Sequence, residues 1–200
     1  MTINQAHLEA KRQISFQSVV GQANGNGHTT TSANTSDRYV IYHQSSEKME
    51  ELSDELVNLV ITSPPYYSKR NYGMPDQIGL ESTIEAYLDS LGRVFAETKW
   101  VMKEDGALFV VIGDTYVDGC LQSIPHRLAL RLMDLGFVQR NCLVWKKINP
   151  KPEATTNRWS TSTEFVLFFT QSVNHRFDMD AIRVPYKDDA LCPIPPDISR

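Results

Sequence analysis

Four consecutive residues, Ser63-Pro64-Pro65-Tyr66, place a hydroxyl, a proline carbonyl and an aromatic ring side by side. The Ser63 hydroxyl and the Pro64 carbonyl can both accept hydrogen bonds, and Tyr66 offers a flat face. Neither proline has an N–H to donate, so neither can continue a central strand. Ahead of them runs Val57-Asn58-Leu59-Val60-Ile61-Thr62, in which Val57, Val60, Ile61 and Thr62 are β-branched and suit a buried strand. That strand must stop at Thr62 or Ser63, with a stiff turn at its carboxyl end. In open α/β sheets this is the edge where ligands bind. Pro-Pro-Tyr taken alone also fits an ordinary turn or a proline-rich ligand; the strand before it favours a site.

Several elements must hold this corner. Arg38 to His43 reads as a strand, and Glu47 to Leu56 as a helix with Ser45 or Ser46 as N-cap and Met49, Leu52 and Leu56 on one face. With the Val57 strand they would form a βαβ unit. Ser82 or Thr83 opens a helix running to about Met102, with Ile84, Tyr87, Leu88, Leu91, Val94 and Phe95 at helical spacing. Asp105-Gly106 then turns into a second buried strand, Ala107 to Ile112, ended by Gly113-Asp114-Thr115-Tyr116. Asp114 suits either an orienting acid or a turn cap. Ser123-Ile124-Pro125 begins another helix, with Leu128, Leu132 and Leu135 on its apolar face and Gly136 closing it. Phe137 to Trp145 and Thr163 to Phe169 read as strands.

Thr62-Ser63-Pro64-Pro65-Tyr66 resembles the catalytic motif of the amino-DNA methyltransferases, whose pattern is Asp, Asn or Ser, then Pro-Pro, then Tyr or Phe. The serine form is more similar to the cytosine-N4 branch than to the adenine-N6 branch. The resemblance implies transfer of a methyl group from S-adenosylmethionine to an exocyclic amino nitrogen of a base in DNA. Such an amine is a poor nucleophile, because its lone pair is delocalised into the ring. The Ser63 hydroxyl and the Pro64 carbonyl would take its two hydrogens and draw the lone pair toward the donor. Pro65 would stiffen the corner, and Tyr66 would stack on a base swung out of the duplex. The rest is proximity and preorganised electrostatics, with no covalent intermediate. The implied cofactor contacts are Ser45, Thr62 and Ser63, although this chain has Gln44-Ser45 where the family usually has Gly-Asp.

Two loops are candidates to face the substrate, the first from its own residues and the second from the likeness. Tyr67 to Gly79 carries Tyr67, Lys69, Arg70 and Tyr72 and suits a loop over the site that grips base and phosphate, or a plain crossover. Lys146-Lys147-Ile148-Asn149-Pro150-Lys151-Pro152 is a rigid basic loop resembling the family's substrate side. Lys69, Arg70, Lys146, Lys147, Asn149, Lys151 and Arg158 are therefore the expected DNA contacts. Trp159 reads as a packing residue rather than a base wedge. The expected fold is α/β, a Rossmann-like S-adenosylmethionine-dependent methyltransferase sheet, mostly parallel with the Thr163 strand antiparallel, and incomplete. Phe177 to Arg183 resembles the segment that follows this strand in the family.

The incompleteness lies in the cofactor half. No strand ending in a glycine-rich loop follows Tyr66; the later glycines stand singly. Near the start, Gly21, Gly25 and Gly27 have the spacing Gly-x-x-x-Gly-x-Gly, which is not the dinucleotide fingerprint. Residues 1–36 read as a flexible tail with at most a short helix from Gln5 to Gln13, residues 37–190 as a partial catalytic domain, and residues 191–200 as a proline-rich end. An open apolar sheet edge would invite a second polypeptide that supplies the glycine-rich loop and the target-recognition region. The chain alone would then bind S-adenosylmethionine weakly or not at all.

Composition bounds the alternatives. The chain has 200 residues, 41% of them hydrophobic and 22% charged, which is enough for one core. Three scattered cysteines indicate neither a zinc site nor a disulfide framework, and no metal site is expected. A reduced, cytoplasmic setting fits, with no secretory signal or membrane span. Net charge is −4, yet the stretch from His126 to Arg158 holds seven basic residues against two acids, compatible with phosphate contact on one face. The rival readings are an adenine-N6 enzyme, a non-catalytic DNA-binding or partner subunit, and methylation of another planar amide such as protein glutamine, which the basic loop disfavours.

Overall fold

A computed structural model describes residues 40–42, 44–74, 76–150 and 152–184. The expected N-terminal tail, the proline-rich end and Lys151 lie outside the described residues.

The apolar run before the prolines forms β1 (Val57–Thr62) and stops where the missing N–H groups require. After the loop over the site comes α1 (Ile84–Val101), whose N-cap Thr83 accepts the Ala86 N–H through its side chain. β2 (Met102–Ile112) lies parallel to β1. It begins earlier than the sequence suggests. Val57 pairs with Met102 and Leu59 with Ala107, so Lys103 to Gly106 form an irregularity inside the strand rather than a turn before it. Gly106 is required there, since a Cβ would lie 2.8 Å from Met102 Cγ and 2.9 Å from the Lys103 carbonyl oxygen.

A short hairpin, β3 (Tyr116–Val117) and β4 (Cys120–Leu121), leads to α2 (Ile124–Asp134). Asp114 resolves as a cap: its Oδ1 accepts the N–H groups of Thr115 at 2.8 Å and Ile124 at 3.1 Å, tying the end of β2 to the start of α2. The chain continues through β5 (Val138–Lys146), β6 (Thr163–Thr170) and a one-turn α3 (Met179–Ile182).

The main sheet has the order β1-β2-β6-β5. β6 is antiparallel to both neighbours, so β1, β2 and β5 share a direction and β6 alone is reversed. This is the mixed sheet the resemblance implies. α1 and α2 cover one face, where Leu108, Val110 and Ile112 are fully buried with Tyr87, Leu91, Phe95, Leu128 and Leu132. The other face is thinly covered. Phe109 and Phe168 stack there at 4.6 Å, with Phe177 6.1 Å beyond, while Leu59 and Ile61 are 44% and 56% exposed.

Two expectations fail at the start of the fold. Val40 to Tyr42 lie in no strand and are exposed, while Arg38, Tyr39 and His43 lie outside the described residues. Among the described residues β1 is therefore an edge. Glu47 to Leu56 is a series of turns rather than a helix. Five acids crowd this stretch, and Glu55 has φ 50°. Its backbone bonds go outward: Glu55 N–H to the Trp100 carbonyl at 3.2 Å and Leu56 N–H to the Val101 carbonyl at 2.9 Å. Met49 N–H donates to Glu97 Oε2 on α1 at 3.3 Å. The expected βαβ unit thus falls to β1-α1-β2.

Candidate active site

β1 ends by pushing Ser63 into the open while Pro64 and Pro65 turn inward and are buried. The two proline carbonyls then differ. The buried Tyr87 hydroxyl donates to the Pro65 carbonyl at 2.8 Å. The Pro64 carbonyl accepts from no described residue and stays free beside Ser63. Burial is also what pushes the Tyr87 phenol pKa up, so it remains a neutral donor.

Tyr66 is half-buried, with its ring laid against Gly113. A Cβ at Gly113 would come within 2.8 Å of Tyr66 Cε2, so only glycine leaves room for the ring. The Tyr66 phenol is pushed up to about 12, chiefly by burial; the Glu164 carboxylate raises it further and a hydrogen bond with Ser63 works the other way. Tyr67 points into the core, its ring 5.4 Å from that of Tyr87.

The loop beyond is braced at both ends. Ser68 N–H donates to the Gly79 carbonyl at 2.7 Å and Lys69 N–H to the Tyr66 carbonyl at 3.2 Å. Gly79 has φ 105°, a value other residues rarely adopt. Gln77 buckles the middle: its Oε1 accepts the Tyr72 N–H at 2.5 Å and its Nε2 donates to the Arg70 carbonyl at 2.7 Å. The result is a cavity of about 340 Å³ lined by Ser63, Pro64, Pro65, Tyr66, Lys69, Arg70 and Tyr72. The corner is open, in the size range of small-molecule pockets, and its lining residues carry a hydroxyl, a proline carbonyl with no described donor, an aromatic ring and two cations.

The DNA methylase family model matches residues 57–191, from the first residue of β1 through the end of the described fold. The chain belongs to the DNA methylase family.

Its relatives agree. The Type II methyltransferase M.XycI of Xanthomonas campestris pv. cyanopsidis is 36% identical over 166 residues, covering 68% of this chain and 55% of that protein. M.SfiI of Streptomyces fimbriatus is 35% identical over 161 residues, covering 72% of this chain and 38% of its own. The chain thus spans about half, or less, of these relatives' length. Among solved structures, a putative DNA modification methylase of Thermus thermophilus, complexed with S-adenosyl-L-methionine, matches at TM-score 0.51 and 28% identity, over 68% of this chain and 58% of that one. The cytosine-N4-specific PvuII DNA methyltransferase matches at TM-score 0.53 and 17% identity, over 68% and 51% of the two chains, which shows a shared fold.

Not every expected site residue reaches the cavity. Ser63, Pro64, Pro65, Tyr66, Lys69 and Arg70 line it. Thr62 does not: it is half-buried at the end of β1, paired with Val110. Ser45 does not either. Without the expected strand and helix around it, it sits in a turn where its Oγ accepts the Glu47 N–H at 3.3 Å, and Glu47 pairs with Arg93 of α1. Lys146 ends β5, exposed, and Asn149 lies exposed in the loop beyond. Lys147 Nζ is 2.5 Å from Glu164 Oε1. Arg158 is bound to Glu153 at 2.6 Å and stacked 3.8 Å over the Tyr116 ring. Trp159 is 93% exposed, so the expected packing role is not realised.

Four residues went unrecognised as site-builders. Gly113 and Gln77 give no local signal beyond a strand-end glycine and a loop amide. Tyr87 read as one more apolar helix position, yet its hydroxyl had to find a buried acceptor. Glu164 was detectable as a lone acid entering an otherwise apolar strand. Among the described residues no group of His, Cys, Asp or Glu is placed to hold a metal, and no helix is long and apolar enough to cross a membrane.

Proposed function

We propose that this chain carries the base-binding side of a DNA amino-methyltransferase, with cytosine N4 as the target and S-adenosylmethionine as the methyl donor. One observation carries the reading: Ser63 and an unengaged Pro64 carbonyl stand beside the Tyr66 plate in an open cavity. An exocyclic amino group has two hydrogens for those two oxygens, and its ring has a face for Tyr66. Lys69 and Arg70 at the rim supply charge for the flanking phosphates. Adenine N6 presents the same two hydrogens; the serine, as opposed to Asp or Asn, supports cytosine.

The described residues do not themselves build a donor site. Ser45 and Thr62 stand apart from the cavity, and no glycine-rich loop follows a described strand. The donor is held by the part of the methylase fold that pairs with the open edge of β1 and covers Leu59 and Ile61, whether joined to this chain or on a second polypeptide. A cytoplasmic setting, with double-stranded DNA as substrate, follows from this reading. The test is methyl transfer to duplex DNA, with this chain alone and with a polypeptide carrying that part, followed by nucleoside analysis. N4-methylcytosine supports the proposal and N6-methyladenine moves it to the adenine branch. Ser63→Ala should lower the rate at least ~100-fold, as for loss of one preorganised hydrogen-bond partner.

The lack of a donor site among the described residues favours a second reading, a non-catalytic DNA-binding subunit. DNA binding with no methyl transfer in any combination would select it.

A further inference from the structure

A serine hydroxyl has one proton and two lone pairs. To accept from an amino group it must keep that proton out of the cavity. Tyr66 lines the same cavity as Ser63, its ring lies against Gly113, and both Ser63 and Glu164 act on its phenol. An ionised carboxylate can only accept, so the single phenol proton goes to Glu164. The phenol oxygen then has lone pairs left, so a hydrogen bond formed with Ser63 is one that Ser63 donates.

The geometry that sets this up is tertiary. Gly113 lets the Tyr66 ring lie against the end of β2. Ile112, just before it, pairs with Phe165, which puts Glu164 at the level of Gly113 on the neighbouring strand. Lys147 is fixed beside it, its N–H donating to the Ser162 carbonyl at 2.8 Å and its Nζ 2.5 Å from Glu164 Oε1. The two side chains are 39% and 20% exposed, so the acid is the more sheltered partner.

We propose that Glu164, held by Lys147, is a positioning residue that orders the proton chain Ser63 to Tyr66 to Glu164, so that Ser63 presents only lone pairs to the cavity. A chain ending on a charge polarises each member, which strengthens Ser63 as an acceptor. A neutral serine thereby gains some of the pull that a carboxylate would exert on an amine. Lys147, expected from the sequence to touch phosphate, becomes part of this chain. The role rests on the reading of Ser63 as an acceptor for an amino group.

The test is on the full chain labelled with ¹³C at tyrosine Cζ, with Tyr66→Phe assigning the Tyr66 line. A phenol donating to a carboxylate lies downfield of the exposed tyrosines, toward phenolate. Glu164→Gln should return the line toward theirs, and Ser63→Ala should move it as well. Where Glu164→Gln does not fold, Lys147→Met serves, and the line moves further downfield as the acid loses its counter-charge. A Tyr66 line that ignores these substitutions overturns the proposal. In methyl transfer, Tyr66→Phe keeps the plate but loses the hydroxyl, and should lower kcat about tenfold with KM unchanged, the weight of one hydrogen bond. Full activity in Tyr66→Phe with an inactive Ser63→Ala removes the proton chain and leaves the methyltransferase reading. An active Ser63→Ala removes that reading itself.

Discussion

The loop after β1 and the loop after β5 leave the sheet at the same edge, because β1 and β5 run the same way. Both carry cations and aromatics. In the first, backbone bonds and the Gln77 amide hold the chain, and Lys69 and Arg70 are exposed with no ion pair to a described residue. In the second, the cations do the holding. Lys147 is bound to Glu164, and Arg158 to Glu153 and the Tyr116 ring, while Ile148 and Trp159 are each 93% exposed. A count of basic residues therefore overstates the unpaired charge in one loop and not in the other. A cation is available to phosphate only when the fold has not already given it an acid.

The strongest way to break this contrast is at the brace of the first loop. Tyr87→Phe leaves the buried Pro65 carbonyl without its donor, and urea unfolding should show a loss of about 1–3 kcal/mol. An unchanged midpoint would mean that the carbonyl is not held by Tyr87. The contrast is sharpened by salt-dependent DNA binding. Lys69→Ala and Arg70→Ala should each flatten the slope of log K against log salt by about 0.9, the effect of one phosphate contact. Lys147→Ala and Arg158→Ala should leave the slope as it was; equal losses at all four positions would erase the distinction.

The smallest effect concerns pH. The hydrogen bond from Arg158 holds the Glu153 carboxyl below its ordinary value. A lowered folded pKa contributes stability that is present above the ordinary carboxylate pKa and is lost as pH falls through the lowered one. Both side chains are partly exposed, 27% and 30%, so salt screens the pair. The Arg158 side-chain NMR signal should therefore persist into mild acid, change below the ordinary glutamate range, and lose that step in Glu153→Gln.

Much of the fold was legible because its causes are local. Apolar spacing from Ile84 to Phe95 marked α1, and Ser123-Ile124-Pro125 with Gly136 bracketed α2. The periodic stretch from Glu47 to Leu56 misled, since its spacing suits a helix while its N–H groups find the Trp100 and Val101 carbonyls instead. Of the strand expected from Arg38 to His43, the described residues Val40 to Tyr42 pair with no other strand, and Ser45 just after them stands apart from the cavity.

The residues alone determined where β1 ends and what chemistry stands there, because two prolines without N–H groups stop a strand wherever it is placed. The tertiary structure decided which proline carbonyl stays free, which acid acts on the phenol, and which lysines are left without an acid. Those outcomes hang on partners far along the chain, Tyr87 for Pro65 and Glu164 for Tyr66 and Lys147. A hydrogen-bonding group shows its capacity in the sequence, and its partner only once the chain has folded.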